Sequence, residues 1–146
     1  MALRTGLAGG LLLATAVIAL PAAAGEVDPR WAELAHEARR AVSVIDTFYA
    51  EHHACPQPSV AGEFEDMQAE LGDGFSADPK GQFIEIRGIS MVSGPWLYYA
   101  SPRHPDRCTL WHKLGSDPAL IWRRHHEGGR WLLDLGDGTP ERRLTF

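Results

Sequence analysis

Cysteine is scarce in this chain, with Cys55 and Cys108 the only two in 146 residues, and lysine occurs only at Lys80 and Lys113. Six of the twelve arginines fall in the isolated pairs Arg39-Arg40, Arg123-Arg124 and Arg142-Arg143, and the formal net charge is −5. A stripe of cations is therefore missing, which argues against binding a phosphate backbone, and no nucleic-acid partner is expected. No Gly-x-Ser-x-Gly elbow occurs, which removes the commonest serine-nucleophile signature. Beyond residue 24 there is no second long apolar run, so no later membrane span is expected.

What is present begins with a leader. Arg4 precedes an apolar run from Leu7 to Leu20, and Pro21-Ala22-Ala23-Ala24 supplies a helix break and a small-x-small cleavage site. The run is shorter than the roughly 20 apolar residues of a membrane span. Residues 1–24 are read as a signal peptide cleaved before Gly25, leaving no stable membrane anchor, with residues 25–146 as a single domain. No cysteine directly follows the cleavage site, so a bacterial lipoprotein is not expected. The expected location is periplasmic or secreted. In such a compartment two cysteines read as one disulfide, Cys55–Cys108, which leaves no thiol nucleophile.

Asp28-Pro29 is a helix start, an N-cap carboxylate followed by proline at the first helical position. Trp31, Leu34, Ala35, Ala38, Ala41, Val42, Ile45, Phe48 and Tyr49 then recur every three or four residues as one apolar stripe. This predicts one helix of about 25 residues, near 38 Å long, stopped by Pro56 and Pro58. Phe64, Met67 and Leu71 are spaced for a short second helix, and Asp78-Pro79-Lys80-Gly81 reads as a turn. After Gly81 the period becomes twofold. Residues 83–89, 95–100, 107–114, 120–125 and 130–135 read as strands joined by connections short enough for antiparallel neighbours. The expected fold class is α+β, a long N-terminal amphipathic helix packed across a small antiparallel β-meander with one disulfide.

Two histidine pairs raise the question of metal. His52-His53 falls at a helix end, where neighbours point about 100° apart, and a helical metal pair needs i, i+3 or i, i+4 spacing. His125-His126 would point to opposite sides of a strand. Both therefore read as structural or exposed. In "DLGDGTPE" the carboxylates Asp134, Asp137 and Glu141 are the only candidates for calcium, with Gly136 and Gly138 permitting a tight loop. The spacing is not that of an EF-hand, and Asp-Gly is also a common turn dipeptide. No cofactor is expected, calcium at this loop being the one candidate. Glu63, Glu65 and Asp66 share a short helix but not a face, so paired-carboxylate chemistry is not expected.

The segment "PWLYYAS" places Trp96 and Tyr98 on one face of a strand and Leu97 and Tyr99 on the other. A helix can cover only one of these. Trp96 and Tyr98, extended by Trp111 on the neighbouring strand, are the candidate binding residues.

The long amphipathic helix, the helix-end "HHACPQP" and the closing "LWHKLGSDPALIWRRHHEGGRWLLDLGDGTPERR" together resemble the globular domain of pilins and pseudopilins, over roughly residues 30 to 140. "IDTFYAEHHACPQPS" is similar to that superfamily's helix-to-loop junction, and "DLGDGTPE" to its acidic C-terminal loop. The resemblance implies a helix laid across an antiparallel meander, and for some pseudopilins a calcium ion at the loop. The chain lacks the prepilin leader and the Phe-Thr-Leu-x-Glu filament motif, so the implied role is not that of a filament subunit. The functional expectation is an exported, non-enzymatic domain that binds a cell-envelope protein. The alternative is a periplasmic ligand- or glycan-binding or inhibitory protein that uses an aromatic sheet face.

Overall fold

A computed structural model describes residues 28–60, 62–80, 82–89 and 94–146. The expected signal peptide and its cleavage point lie outside these residues.

Three short helices precede a seven-stranded sheet. They are α1 (Pro29–Glu37), α2 (Arg39–His52) and α3 (Glu63–Leu71). Asp28 caps α1 by accepting from the backbone N–H of Arg30 at 3.0 Å, with Pro29 in the first turn. His53 ends α2 in the left-handed region at φ 53°. Gly72, at φ 83°, ends α3, and the Arg40 guanidinium donates to the Glu70 carbonyl in its last turn at 2.7 Å. No helix among the described residues is long and apolar enough to cross a membrane.

The strands are β1 (Ser76–Lys80), β2 (Phe83–Arg87), β3 (Trp96–Ala100), β4 (Cys108–Lys113), β5 (Ala119–His125), β6 (Gly128–Asp134) and β7 (Arg142–Leu144). They pair in sequence order as an antiparallel meander that curls into a half-barrel.

This architecture corrects the expected one. There is no single long N-terminal helix. The chain breaks at Ala38, whose ψ of −6° tightens the turn, leaving helices of 9 and 14 residues. The apolar stripe runs on through the break, and Trp31, Leu34, Ala35, Ala38, Ala41, Ile45 and Phe48 are all buried. Periodicity reported the buried face correctly but could not register a one-residue bend. A straight rod meets a twisted, curled sheet along only part of its length, whereas two shorter segments follow it. The spine helix on which the pilin-like layout rested is absent. The sheet is also the larger partner, with seven strands in place of the expected five. Both additions are edges. β1 contains Pro79, which lacks a ladder donor and is tolerated on an edge. β7 is three residues long and carries two arginines, and short charged edges discourage pairing with other chains.

The core lies between the helices and the inner face of the sheet. Ile84, Ile86, Trp96, Tyr98, Leu110, Leu120 and Trp122 pack there with Trp31, Ala38, Ile45, Met67 and Leu71. Cys55 and Cys108 form the expected disulfide, with Cα atoms 6.0 Å apart, and tie the end of α2 to the start of β4. Beside it the Cys55 N–H donates to the Pro105 carbonyl at 2.6 Å, and the Tyr98 hydroxyl donates to the Pro56 carbonyl at 2.8 Å. A disulfide is compatible with an oxidising, secreted or periplasmic location.

Candidate functional site: the outer face of the sheet

The strand alternation separates the three expected binding residues. Trp96 and Tyr98 are 0% exposed and belong to the core. The Trp96 ring stacks on His112 at 5.1 Å between centroids and meets the edge of Trp131 at 6.2 Å, while Tyr98 is spent on Pro56. Neither offers surface to a partner. Trp111 points the other way and is half-buried. The twofold period identified the two faces correctly. Which of them the helices cover is decided by tertiary packing, and alternation carries no information about that.

Leu97, Tyr99 and Trp111 share the outer face. Across it the register aligns Glu85, Leu97, Trp111, Ile121, Leu132 and Arg143 in one row. Phe83 joins the row from β2, with its ring 5.1 Å from Trp111 and 5.6 Å from Tyr99. Ala119, Ile121 and Leu132 pack with Trp111 as a second apolar cluster distinct from the core. No described helix residue belongs to this second cluster, whereas Trp31, Leu34, Ala41, Ile45, Met67 and Leu71 belong to the inner one.

The next row holds Tyr99, Thr109, Arg123 and Arg130. Arg123 and Arg130 are thus direct cross-strand partners on β5 and β6, a like-charge placement that costs free energy unless an anion intervenes. Arg123 has such an anion, a two-pronged pair with the Glu141 carboxylate at 2.7 Å on both arms. Arg107, just before β4, completes the group. Tyr99, His104, Arg107, Arg123, His125 and Arg130 line a shallow cleft of about 420 Å³. His125 records the local field: burial holds its pKa below the usual histidine value, Arg130, Arg107 and Arg123 push in the same direction, and Asp106 opposes them. Tyr99 also borders a cleft of about 630 Å³ shared with Gln57, Pro58, Phe83, Ser101 and Arg103.

The other candidate residues do not converge. His52 lies against the Phe48 ring at 4.2 Å, and His53 is the helix cap. His126 stands at the tip of the β5–β6 hairpin, 3.7 Å from Glu127. Asp134 accepts from the Gly136 N–H at 2.9 Å, and Asp137 accepts from the Thr139 N–H at 3.0 Å and from its hydroxyl at 2.5 Å. Glu141 is held by Arg123. The three carboxylates considered for calcium are thus occupied separately, two in local turns and one in an ion pair. Among the described residues no group of three or more His, Cys, Asp or Glu side chains could hold a metal ion.

The signal that sequence reading passed over was the arginines at alternate and facing strand positions, which look isolated until the hairpin register brings them together. Compared with protein-family models, with curated proteins and with solved structures, the chain matches none of them.

Proposed function

We propose that this chain is an exported, non-enzymatic interaction domain of the bacterial cell envelope that docks a partner protein on the outer face of its sheet. The observation that carries this reading is the half-buried patch of Phe83, Leu97, Tyr99 and Trp111 on the face opposite the helices. Apolar and aromatic side chains at a contiguous outer patch mark interaction surfaces, and aromatic anchors beside arginine are the composition favoured at binding hot spots. The disulfide, which locks both cysteines, and the leader expected at residues 1–24 support a periplasmic or secreted setting. The reading does not depend on the pilin-like resemblance.

The test is site-specific photo-crosslinking in cells. A benzoylphenylalanine at Leu97 is expected to yield one covalent adduct of discrete mass, with none from the same group at the exposed Glu37 on α1. Uncrosslinked monomer at position 97, or the same smear from both positions, rejects the proposal.

A second reading, binding of a small ligand or glycan, is favoured by the cleft between Pro58 and Tyr99. Its volume of about 630 Å³ is within the range of small-molecule sites. Saturable binding of an oligosaccharide that Tyr99→Ala abolishes, without any protein adduct from Leu97, would favour it.

A further inference from the structure

We infer that the cleft formed by Arg107, Arg123 and Arg130 is a carboxylate subsite, which takes an acidic side chain or a C-terminal carboxylate of the polypeptide docked along the aromatic row. The inference rests on the interaction-domain reading and adds the chemistry of the partner to it.

Four observations carry it. Arg123 and Arg130 are direct cross-strand partners of like charge, a placement that favours an anion beside them. A carboxylate already occupies part of the group, since Glu141 engages Arg123 through both oxygens, the fork geometry that makes arginine selective for planar oxyanions. Arg107 and Arg130 are exposed, and among the described residues neither has a carboxylate partner. Charge is concentrated here against the sign of the whole chain, which is −5.

Position within the face narrows the partner further. Tyr99 borders the cation cleft, and its ring neighbour Phe83 leads into the Leu97–Trp111–Ile121 row. At the β1–β2 end of that row stand Asp78 and Glu85, the latter paired with Arg87, and in the row beyond it Asp134 lies opposite Ala119. A polynucleotide laid across the sheet would bring phosphates against those carboxylates. A peptide with one carboxylate at one end and apolar or aromatic side chains along its length meets each region with its complement.

The test uses the full chain and three synthetic probes: N-acetyl-Phe-Leu-Glu-amide, its Gln counterpart, and N-acetyl-Phe-Leu with a free C-terminus. Amide chemical shifts are followed by NMR. The glutamate and free-carboxylate peptides are expected to move Thr109, Arg123 and Arg130, to bind about tenfold tighter than the Gln peptide, and to lose about tenfold in Arg107→Gln or Arg130→Gln. Both arginines are exposed, and an unchanged circular dichroism melt shows that each variant is folded. Which of the two carboxylate peptides binds tighter distinguishes a terminal from a side-chain carboxylate. Equal binding of the Glu and Gln peptides, undiminished binding by both variants, or no shifts up to about 10 mM peptide overturns the subsite. Inorganic phosphate binding as tightly as the Glu peptide overturns the assignment to polypeptide. The Leu97 crosslink separates the two levels: if it persists while the arginine variants have no effect, the docking face stands and the carboxylate subsite falls.

Discussion

The Arg124 guanidinium lies 3.9 Å above the centre of the Tyr49 ring while pairing with the Asp46 carboxylate, so one cation on β5 is gripped by two residues three apart on α2. Arg124 is the more enclosed partner, its side chain 13% exposed against 44% for Asp46. Burial raises the Asp46 pKa, and Arg124 only partly offsets that. Arg124→Met is expected to cost about 1–2 kcal/mol, from the lost cation–π contact and from the carboxylate left unpaired. The deficit has a sign in pH. A raised folded pKa means that the native state holds more protons than the unfolded chain above about pH 4, so stability falls as pH rises through that window. Without Arg124 the pKa rises further, and the deficit therefore shrinks on acidification. Urea denaturation of both proteins at pH 7 and pH 4.5 checks it, and a deficit that grows in acid contradicts it.

Cys55–Cys108 spans 53 positions, a long loop for a chain of this size. In the chain-entropy treatment its closure contributes about 4 kcal/mol. The Cys55→Ala/Cys108→Ala double variant is expected to unfold at markedly lower urea while keeping its native circular dichroism spectrum in water. The reason for the retained fold is that Tyr98–Pro56 and Cys55–Pro105 hydrogen bonds still fasten the same junction. A spectrum of an unfolded chain would show that those bonds hold nothing by themselves.

Much of this architecture is written in local patterns. The twofold alternation after residue 82 places β2 to β6 within a few residues of their observed ends, because β2, β3 and β4 bury alternate residues, while β5, which buries Ala119 to Trp122 in succession, is marked by its apolar run and flanking turns. Met67 and Leu71 likewise mark α3, and both are buried. The bend at Ala38 left no trace, since alanine is a good helix former and the stripe continues across it. β1 was hidden by Pro79, which signals a turn unless the strand is an edge, and edge status is a property of the whole sheet. The functional face was the least legible part. Trp96 and Trp111 look equivalent as sequence, and only the packing of the helices makes one core and the other surface.

Gly129 faces Arg124 across the β5–β6 hairpin, and a methyl group there would stand 2.5 Å from Cε2, Cζ2 and Nε1 of Trp122. Trp122 is 3% exposed and has little room to yield. Gly129→Ala is expected to cost about 1–3 kcal/mol, the range for forcing extra volume into a packed region. Gly94→Ala is the control, since nothing stands within 4 Å of its added carbon and its φ is not positive. Equal melting temperatures for the two variants would mean that the Trp122 ring shifts without cost.

The two tryptophans should also divide stability from binding. Trp96→Ala removes a wholly buried ring that stacks on His112, and a loss of about 3–5 kcal/mol is expected. Trp111→Ala removes a ring from the outer face, where its neighbours are Phe83 and the small Ile121 cluster. A loss of about 1–2 kcal/mol is expected there, together with loss of the Leu97 crosslink. Thermal melts and crosslinking yield measured on both variants decide this, and a Trp111→Ala protein that melts normally and crosslinks normally removes the aromatic row from the binding surface.

His125 gives the outer face a pH dependence that can be read directly. Its pKa is lowered first by burial and then by Arg130, Arg107 and Arg123, with Asp106 acting in the opposite direction. The unfolded chain, with a histidine value near 6.5, takes up a proton before the folded protein does. Stability contributed by the neutral imidazole is therefore present above about pH 6.5 and is lost as pH falls through that value toward the folded pKa. His125→Gln is expected to flatten this part of the stability profile. Arg130→Gln should raise the His125 pKa part of the way, because the charge is removed while the burial remains. A bound carboxylate should raise it as well, since it supplies the opposite charge to the same cleft. Following the His125 ring proton by NMR from pH 4 to 8 in the unaltered and Arg130→Gln proteins, with and without the acetylated glutamate peptide, tests both pKa shifts at one atom, and urea denaturation across the same range tests the His125→Gln profile. A pKa unmoved by both Arg130→Gln and the peptide would place His125 outside the field of the arginine cleft.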